Sequence, residues 1–418
     1  MRILLVGINY APDLIGVAKY NAELCESLVA DGHDVQVITA PPYYPAWKIP
    51  SDFQSGYFST RDHLGVKVMR VPIYVPQRPS GAKRLLHHAS FALMSAGPVL
   101  AKAVNWRPEV MISIAPSLLS AAFVSFVARV TGSKSWLHVQ DFEIDAAFDL
   151  GLLSNRKLRA PMLSVERQIL RSFDRVSTIS PQMLQRLKTK GIDPDKLREI
   201  RNWIDTAAIM PGDRQTRFRQ ELNLGSGDLV GLYSGTMSNK QGLDLIIEAA
   251  AKLEHRPHIK IVLCGDGPHK ARLMELAASR ANIQFIGLQP NKRFSELLAT
   301  ADFHLIPQKA EAADLVLPSK LGGILSSNRP VIAMAAEGTG LAHEVRDVGL
   351  VVEPGDVEGL ASAICRLDSD RRFGDVFGNN ARKRALERWD RRAIVANWSR
   401  EMASLAHQAL DVRPTSIA

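Results

Sequence analysis

Short apolar runs alternate with longer amphipathic stretches along nearly the whole chain. The first run, RILLVGI at residues 2–8, is continuous, as expected of a parallel strand buried on both faces. A loop holding Pro12 and Gly16 follows, and residues 17–30 carry apolar positions at helical spacing. Asp31-Gly32-His33 ends that helix and residues 35–39 return to a strand, which predicts a βαβ unit. Further on, the pattern predicts a strand at 66–71, a long helix at 83–104, and a strand followed by a helix within 110–130, broken at Pro116-Ser117. A strand running from Trp136, helices at 161–173 and 181–190 and a strand at 175–180 complete the half that ends near Ile200.

The second half repeats this grammar. Strands are expected at 229–233, 259–264, 283–286 and 302–307, with helices at 243–251, 270–280, 293–300 and from 321 onward. The fold class is therefore α/β, two Rossmann-like doubly wound parallel-sheet domains whose carboxyl edges face a cleft. The expected boundaries are 1–200, 201–388 and a helical segment 389–418 that packs back on the first domain.

Composition is that of a globular protein: 418 residues, 46% hydrophobic and 23% charged, with no low-complexity tract. Cys25, Cys264 and Cys365 are far apart, which speaks against a disulfide framework or a cysteine-rich metal site and favours a reducing, cytoplasmic compartment. No secretory signal is expected at the start of this sequence. A formal net charge of +9 points to an anionic partner. The basic clusters at 78–84, 156–175 and 382–392 are not interleaved with aromatics, so nucleic acid ranks below phosphorylated substrates or an anionic membrane surface. Residues 110–128 carry no charge and meet the length of a membrane span, yet a buried strand and helix account for them better. Leu85, Leu86, Phe91, Leu93 and Met94 beside Lys83 and Arg84 could rest on a membrane surface or pack into the core.

Two places carry candidate chemistry. At Ser234-Gly235-Thr236 a strand turns sharply into a helix, with Lys240 just before it. Unpaired amides, the helix dipole and the ammonium make a seat for a phosphate or diphosphate, the alternative being an ordinary connection with a solvated lysine. Gly16, at the head of the first helix, would likewise let a ligand approach the backbone. At 136–143, WLHVQDFE runs from a strand into a loop, and His138, Asp141 and Glu143 would face the cleft, where a carboxylate can hold a sugar hydroxyl or take its proton. The proline-rich and aromatic segment 41–50 reads as a loop lining that cleft. Gly-x-Gly-x-x-Gly is absent, so the dinucleotide fingerprint is missing.

The ordered set SGTMSNKQGLDLIIEAA, LCGDGPHKARL, FIGLQP, ATADFHLIPQ, LPSKL, RPVIA and GLVVEPGDVEGLASAI resembles the nucleotide-sugar domain of the retaining GT-B glycosyltransferases of family four. DGHDVQVIT and IRNWIDT are similar to that family's first domain and junction. The resemblance implies that Lys240 and Lys320, with Ser319 beside it, meet a donor diphosphate. It also implies that Gly235, Gly265 and Gly267 admit the nucleotide, that Gly287 and Leu288 lie against its base, and that Asp141 contacts the sugar or acceptor. His138 and Glu143 would contact the acceptor. Thr236 stands where many relatives have arginine, and Leu315 and Gly323 stand where most carry two glutamates, with Glu311 or Asp314 as substitutes for the first. The subgroup it looks most like implies transfer of fucose from GDP-fucose to a lipid-linked saccharide in colanic-acid-like exopolysaccharide synthesis, without cofactor or metal. The donor could be GDP- or UDP-linked, and peripheral contact with the anionic inner membrane is implied, with no nucleic acid. The alternatives are a non-catalytic nucleotide-sugar binder and a nucleotide-sugar epimerase.

Overall fold

The computed structural model describes residues 1–13, 16–54, 56–145, 156–309 and 317–407, with the side chains of residues 82, 156–158 and 240 outside that description. It divides into two compact units, Met1–Arg201 with Val395–Ala418, and Asn202–Ile394.

Unit 1 runs β1 (Arg2–Val6), α1 (Val17–Ala30), β2 (Asp34–Thr39), β3 (Ser59–His63), β4 (Val66–Arg70), α2 (Gly81–Asn105), β5 (Val110–Ala115), α3 (Leu118–Thr131), β6 (Lys134–Val139), α4 (Arg156–Ser172), β7 (Arg175–Thr178), α5 (Pro181–Thr189) and β8 (Leu197–Glu199). The strands hydrogen-bond in the order β3-β4-β2-β1-β5-β6-β7-β8, all parallel except β3 against β4. Two of these were not expected from the sequence. β3 (STRDH) has no apolar face to betray it, and β8 is only three residues long.

The uncharged stretch after Glu109 resolves into the fully buried β5 and then α3, which Gly132 ends in the left-handed region. Among the described residues no helix is long and apolar enough to cross a membrane.

Strand alternation decides what covers each face. Leu137 and Val139 of β6 pack with Leu118, Leu170, Phe173 and Met183 beneath α3, α4 and α5. Trp136 and His138 therefore point to the opposite face, where Trp398 covers them at ring-centroid distances of 6.0 and 4.8 Å.

Unit 2 runs α6 (Arg217–Glu221), β9 (Leu229–Ser234), α7 (Leu243–Lys252), β10 (Ile259–Cys264), α8 (Lys270–Ala277), β11 (Ile283–Ile286), α9 (Asn291–Thr300), β12 (Phe303–Ile306), α10 (Lys320–Ser326), β13 (Val331–Met334), α11 (Gly340–Val345), β14 (Gly349–Val352), α12 (Val357–Ser369) and α13 (Arg371–Arg388). Its sheet is wholly parallel, β11-β10-β9-β12-β13-β14. The order reverses on either side of β9, so the loop after β9 lies at a topological switch point, where open α/β sheets bind ligands.

Trp389 belongs to unit 2. Its carbonyl accepts from the Ile204 amide at 2.8 Å, and a Cβ on Gly322 would stand 3.0 Å from its ring. The last described helix, α14 (Arg391–His407), begins just after it, and the chain enters unit 1 at Val395. There Trp398 is buried, Arg198 bonds Glu401 at 2.8 Å, and His33 meets Ser399 at 3.0 Å.

Candidate active site

The turns after β9 and β10 lie against one another. The Gly235 amide donates to the Cys264 carbonyl at 3.0 Å, the Met237 amide to Asp266 at 2.8 Å, and the Gly265 amide to Ile286 at 3.0 Å. The approach leaves no room for side chains. A Cβ on Gly265 would come within 1.9 Å of the Gly235 oxygen, and one on Gly267 within 2.4 Å of the Met237 oxygen, both at backbone angles that favour glycine.

Lys320, the first residue of α10, reaches this spot. Its Nζ sits 3.9 Å from the centre of the Tyr233 ring and 3.3 Å from where a Cβ on Gly235 would stand. The Tyr233 hydroxyl donates to the Thr236 carbonyl at 2.7 Å, which fixes the ring beneath the amine. The ammonium is buried and has no hydrogen-bond partner among the described residues. Desolvation pushes its pKa down to about 7. A buried amine with no carboxylate partner among the described residues, beside backbone that only glycine permits, is arranged to receive an anion.

Around it, Thr236 and Ser319 are exposed. Gly287 offers its carbonyl to Gln289 and to the Cys264 thiol, and Leu288 is left 71% exposed. Lys240 lies in the 3-10 turn Asn239–Gln241, and its side chain is outside the described residues. Sequence reasoning missed Lys309, which bonds Asn239 at 3.0 Å and Asp244 at 3.2 Å and so pins the turn before α7. Its only signal was its place just after a strand end.

Glu311, Asp314 and Leu315 fall outside the described residues. Gly323 is buried, and a Cβ there would meet Phe294 at 3.4 Å and Ile209 and Leu298 at 3.6 Å, so this position belongs to apolar packing.

In unit 1 the expected ionisable trio of His138, Asp141 and Glu143 separates. His138 is 2% exposed, with Nδ1 2.8 Å from the Ser177 hydroxyl and Nε2 3.0 Å from the Gln140 amide, and burial lowers its pKa to about 3. It does not face a cleft, because β6 alternation turns it toward Trp398. Nor does Glu143 present a free carboxylate. Its Oε2 accepts from the Ser117 and Leu118 amides at 3.0 and 3.2 Å, capping α3, and its Oε1 lies 3.5 Å from His88. Asp141 remains at the surface. Partial desolvation raises its pKa, with Glu143 adding to the rise and the Phe142 amide and Arg186 opposing it. Gly16, also in unit 1, is exposed at the head of α1, with nothing within 4 Å of an added Cβ.

Comparison with known proteins agrees with this architecture. Residues 16–203 match the glycosyl transferase 4-like domain and residues 214–384 the glycosyl transferases group 1 domain. The chain is 39% identical over 375 residues to WcaI of Escherichia coli (strain K12), named for an inferred role as a colanic acid biosynthesis glycosyl transferase, covering 87% of this chain and 91% of that one. Sucrose-phosphate synthase from Thermosynechococcus elongatus superposes with a TM-score of 0.71 at 19% identity, over 99% of this chain and 100% of that one. Anabaena HepE, solved with UDP-glucose, gives 0.67 at 15% identity, over 97% and 100%. With two matching domains in order and a relative this similar over nearly its full length, the chain belongs to the GT-B glycosyltransferases that join a 4-like domain to a group 1 domain.

Proposed function

We propose that the protein transfers a hexosyl group, with retention at the anomeric carbon, from a nucleoside diphosphate to a hydroxyl of a lipid-linked saccharide during exopolysaccharide synthesis. Fucose carried by GDP is the donor that the family resemblance implies, the likeness to WcaI supporting colanic-acid-like synthesis, and the work is done at the cytoplasmic face of a membrane. Unit 2 takes the donor and unit 1 the acceptor. The observation that carries the reading is the buried Lys320 amine, without a hydrogen-bond partner among the described residues, beside the Gly235 and Gly265 turns.

In this reading the breaking bond is the one between the sugar C1 and the diphosphate oxygen. Charge accumulates on that oxygen as the sugar centre becomes oxocarbenium-like, and Lys320, Lys240 and the backbone amides of the turns meet it. In a dry site such contacts strengthen as the charge develops. A departing phosphate oxygen takes the acceptor's proton, and Asp141 holds the acceptor hydroxyl.

The test is a transfer assay with GDP-fucose radiolabelled in the sugar and a membrane lipid extract from an exopolysaccharide-producing strain. Label should pass to the lipid fraction with wild-type protein and fall at least ~100-fold with Lys320→Ala, the scale of losing one charge-stabilising group. Binding of GDP-fucose with no release of GDP, whatever the acceptor, would overturn the enzymatic reading.

A further inference from the structure

Unit 1 holds a cavity of about 340 Å³ between α2, α3 and α4. Its walls are almost wholly apolar, and the carboxylates that border it are already engaged. Glu143 caps α3, and Glu166 is bonded to Lys190. At the rim stand Leu85, Leu119 and Val165, apolar side chains 41%, 50% and 51% exposed.

The surface beyond continues in the same character. Leu86, Leu93 and Leu100 recur at sevenfold spacing along α2, Phe126 and Val130 follow Leu119 on α3, and all are exposed, while α2 and α3 pack side by side. Neither helix contains an Asp or Glu, and the one acid of α4, Glu166, is buried. Among the described residues the exposed charged side chains of these three helices are all cations, Lys83, Arg129, Arg159, Arg167 and Arg171, the last donating to the Gly191 carbonyl at 3.0 Å.

With its bordering carboxylates engaged, an apolar band on helices whose exposed charges are cations complements a lipid bearing phosphate. A second copy of this chain, placed face to face on the band, would bring cations against cations.

We infer that this cavity and its rim receive the hydrocarbon chain of the lipid phosphate that carries the acceptor saccharide, the arginines of α4 meeting the phosphate. The inference rests on the transferase reading for its choice of lipid, and it places the acceptor's anchor in unit 1.

The test measures binding without turnover. Full-length protein is dialysed to equilibrium against radiolabelled farnesyl phosphate below its micelle concentration, and GDP-induced thermal stabilisation is measured in parallel. Wild type should bind saturably, and millimolar inorganic phosphate should leave most of that binding in place. Val165→Asp and Leu119→Asp, both at half-exposed sites, should each weaken it about tenfold by putting a charge at the apolar mouth, leaving the GDP response unchanged.

Unchanged binding in both variants would overturn the inference, as would complete displacement by inorganic phosphate, which would mean the cations alone hold the probe. So would a wild-type dimer that the same substitutions dissociate in sedimentation while farnesyl phosphate binding stays intact. Cavity-dependent binding in a protein that gives no GDP response would support the inference and count against the transferase reading alone.

Discussion

At residue scale the decisive group is Lys320. Its amine is neutralised in part by burial, so the unliganded protein is less stable for holding it charged, by about 1.4 kcal/mol for every tenfold rise in the acid strength of the ammonium. The folded pKa, about 7, lies below the unfolded value of 10.5, so the unfolded chain binds more protons between the two and stability rises with pH across that window. Lys320→Met should therefore raise the stability of the empty protein at pH 6–7 in urea unfolding, a trade of function against stability. A less stable variant would mean that the amine has a partner it needs. Diphosphate binding should favour the ammonium. GDP affinity is then expected to fall with rising pH above about 7, with proton uptake visible as a buffer-dependent heat in calorimetry, and the Met variant should lose that dependence. The glycines make a sharper demand. Gly267→Ala forces a methyl against the Met237 carbonyl and should cost more than the ~1 kcal/mol of a typical substitution, read from the shift in urea midpoint.

At the scale of elements, the β6 strand and α14 depend on each other. Trp398 is 1% exposed over Trp136 and His138, and Trp398→Ala should destabilise the protein by about 3–5 kcal/mol. His138 and His304 both have pKa values lowered to about 3 by burial. Their folded values lie below 6.5, so the unfolded chain takes up these protons first and stability is lost as pH falls from about 6.5 toward 3, by up to ~1.4 kcal/mol per pH unit for each. Chemical denaturation at pH 7 and pH 5 checks this, and His138→Gln should flatten the slope.

The same pair shows what was and was not legible. β6 could be read from its apolar run, and its alternation says that His138 and Leu137 face opposite ways. Nothing local says that a helix some 260 residues later lies over the His138 face. A strand-end histidine covered by distant sequence looks, in one dimension, the same as one left open to substrate. Glu143 misled for a related reason, because Pro116-Ser117 marked the α3 start without showing which acid caps it. Most strands of the two sheets were legible from continuous apolar runs, although β13 (VIAM) and β14 (GLVV) were not expected as strands. Nor were β3 and β8, at the edge positions of the unit 1 sheet.

At the scale of the whole molecule, two parallel sheets, each doubly wound, were implied by the alternation of strand and helix, and ordered motifs carried the family. The glycines of the unit 2 turns were legible as motif positions. Their reason, backbone approaching backbone across the β9 and β10 ends, is three-dimensional. Part of the basic excess acquires a location: exposed cations share the unit 1 helices with an apolar band, while the buried ammonium sits in unit 2. The central claim is that this ammonium and its glycine turns hold the donor diphosphate. Calorimetric titration with GDP, in wild type and in Lys320→Ala at pH 6.5, tests it most directly. The account predicts saturable binding in wild type, tighter for GDP than for UDP, and binding weakened at least ~10-fold in the variant, the scale of a lost charge-assisted contact. Equal affinity in the two proteins would contradict it.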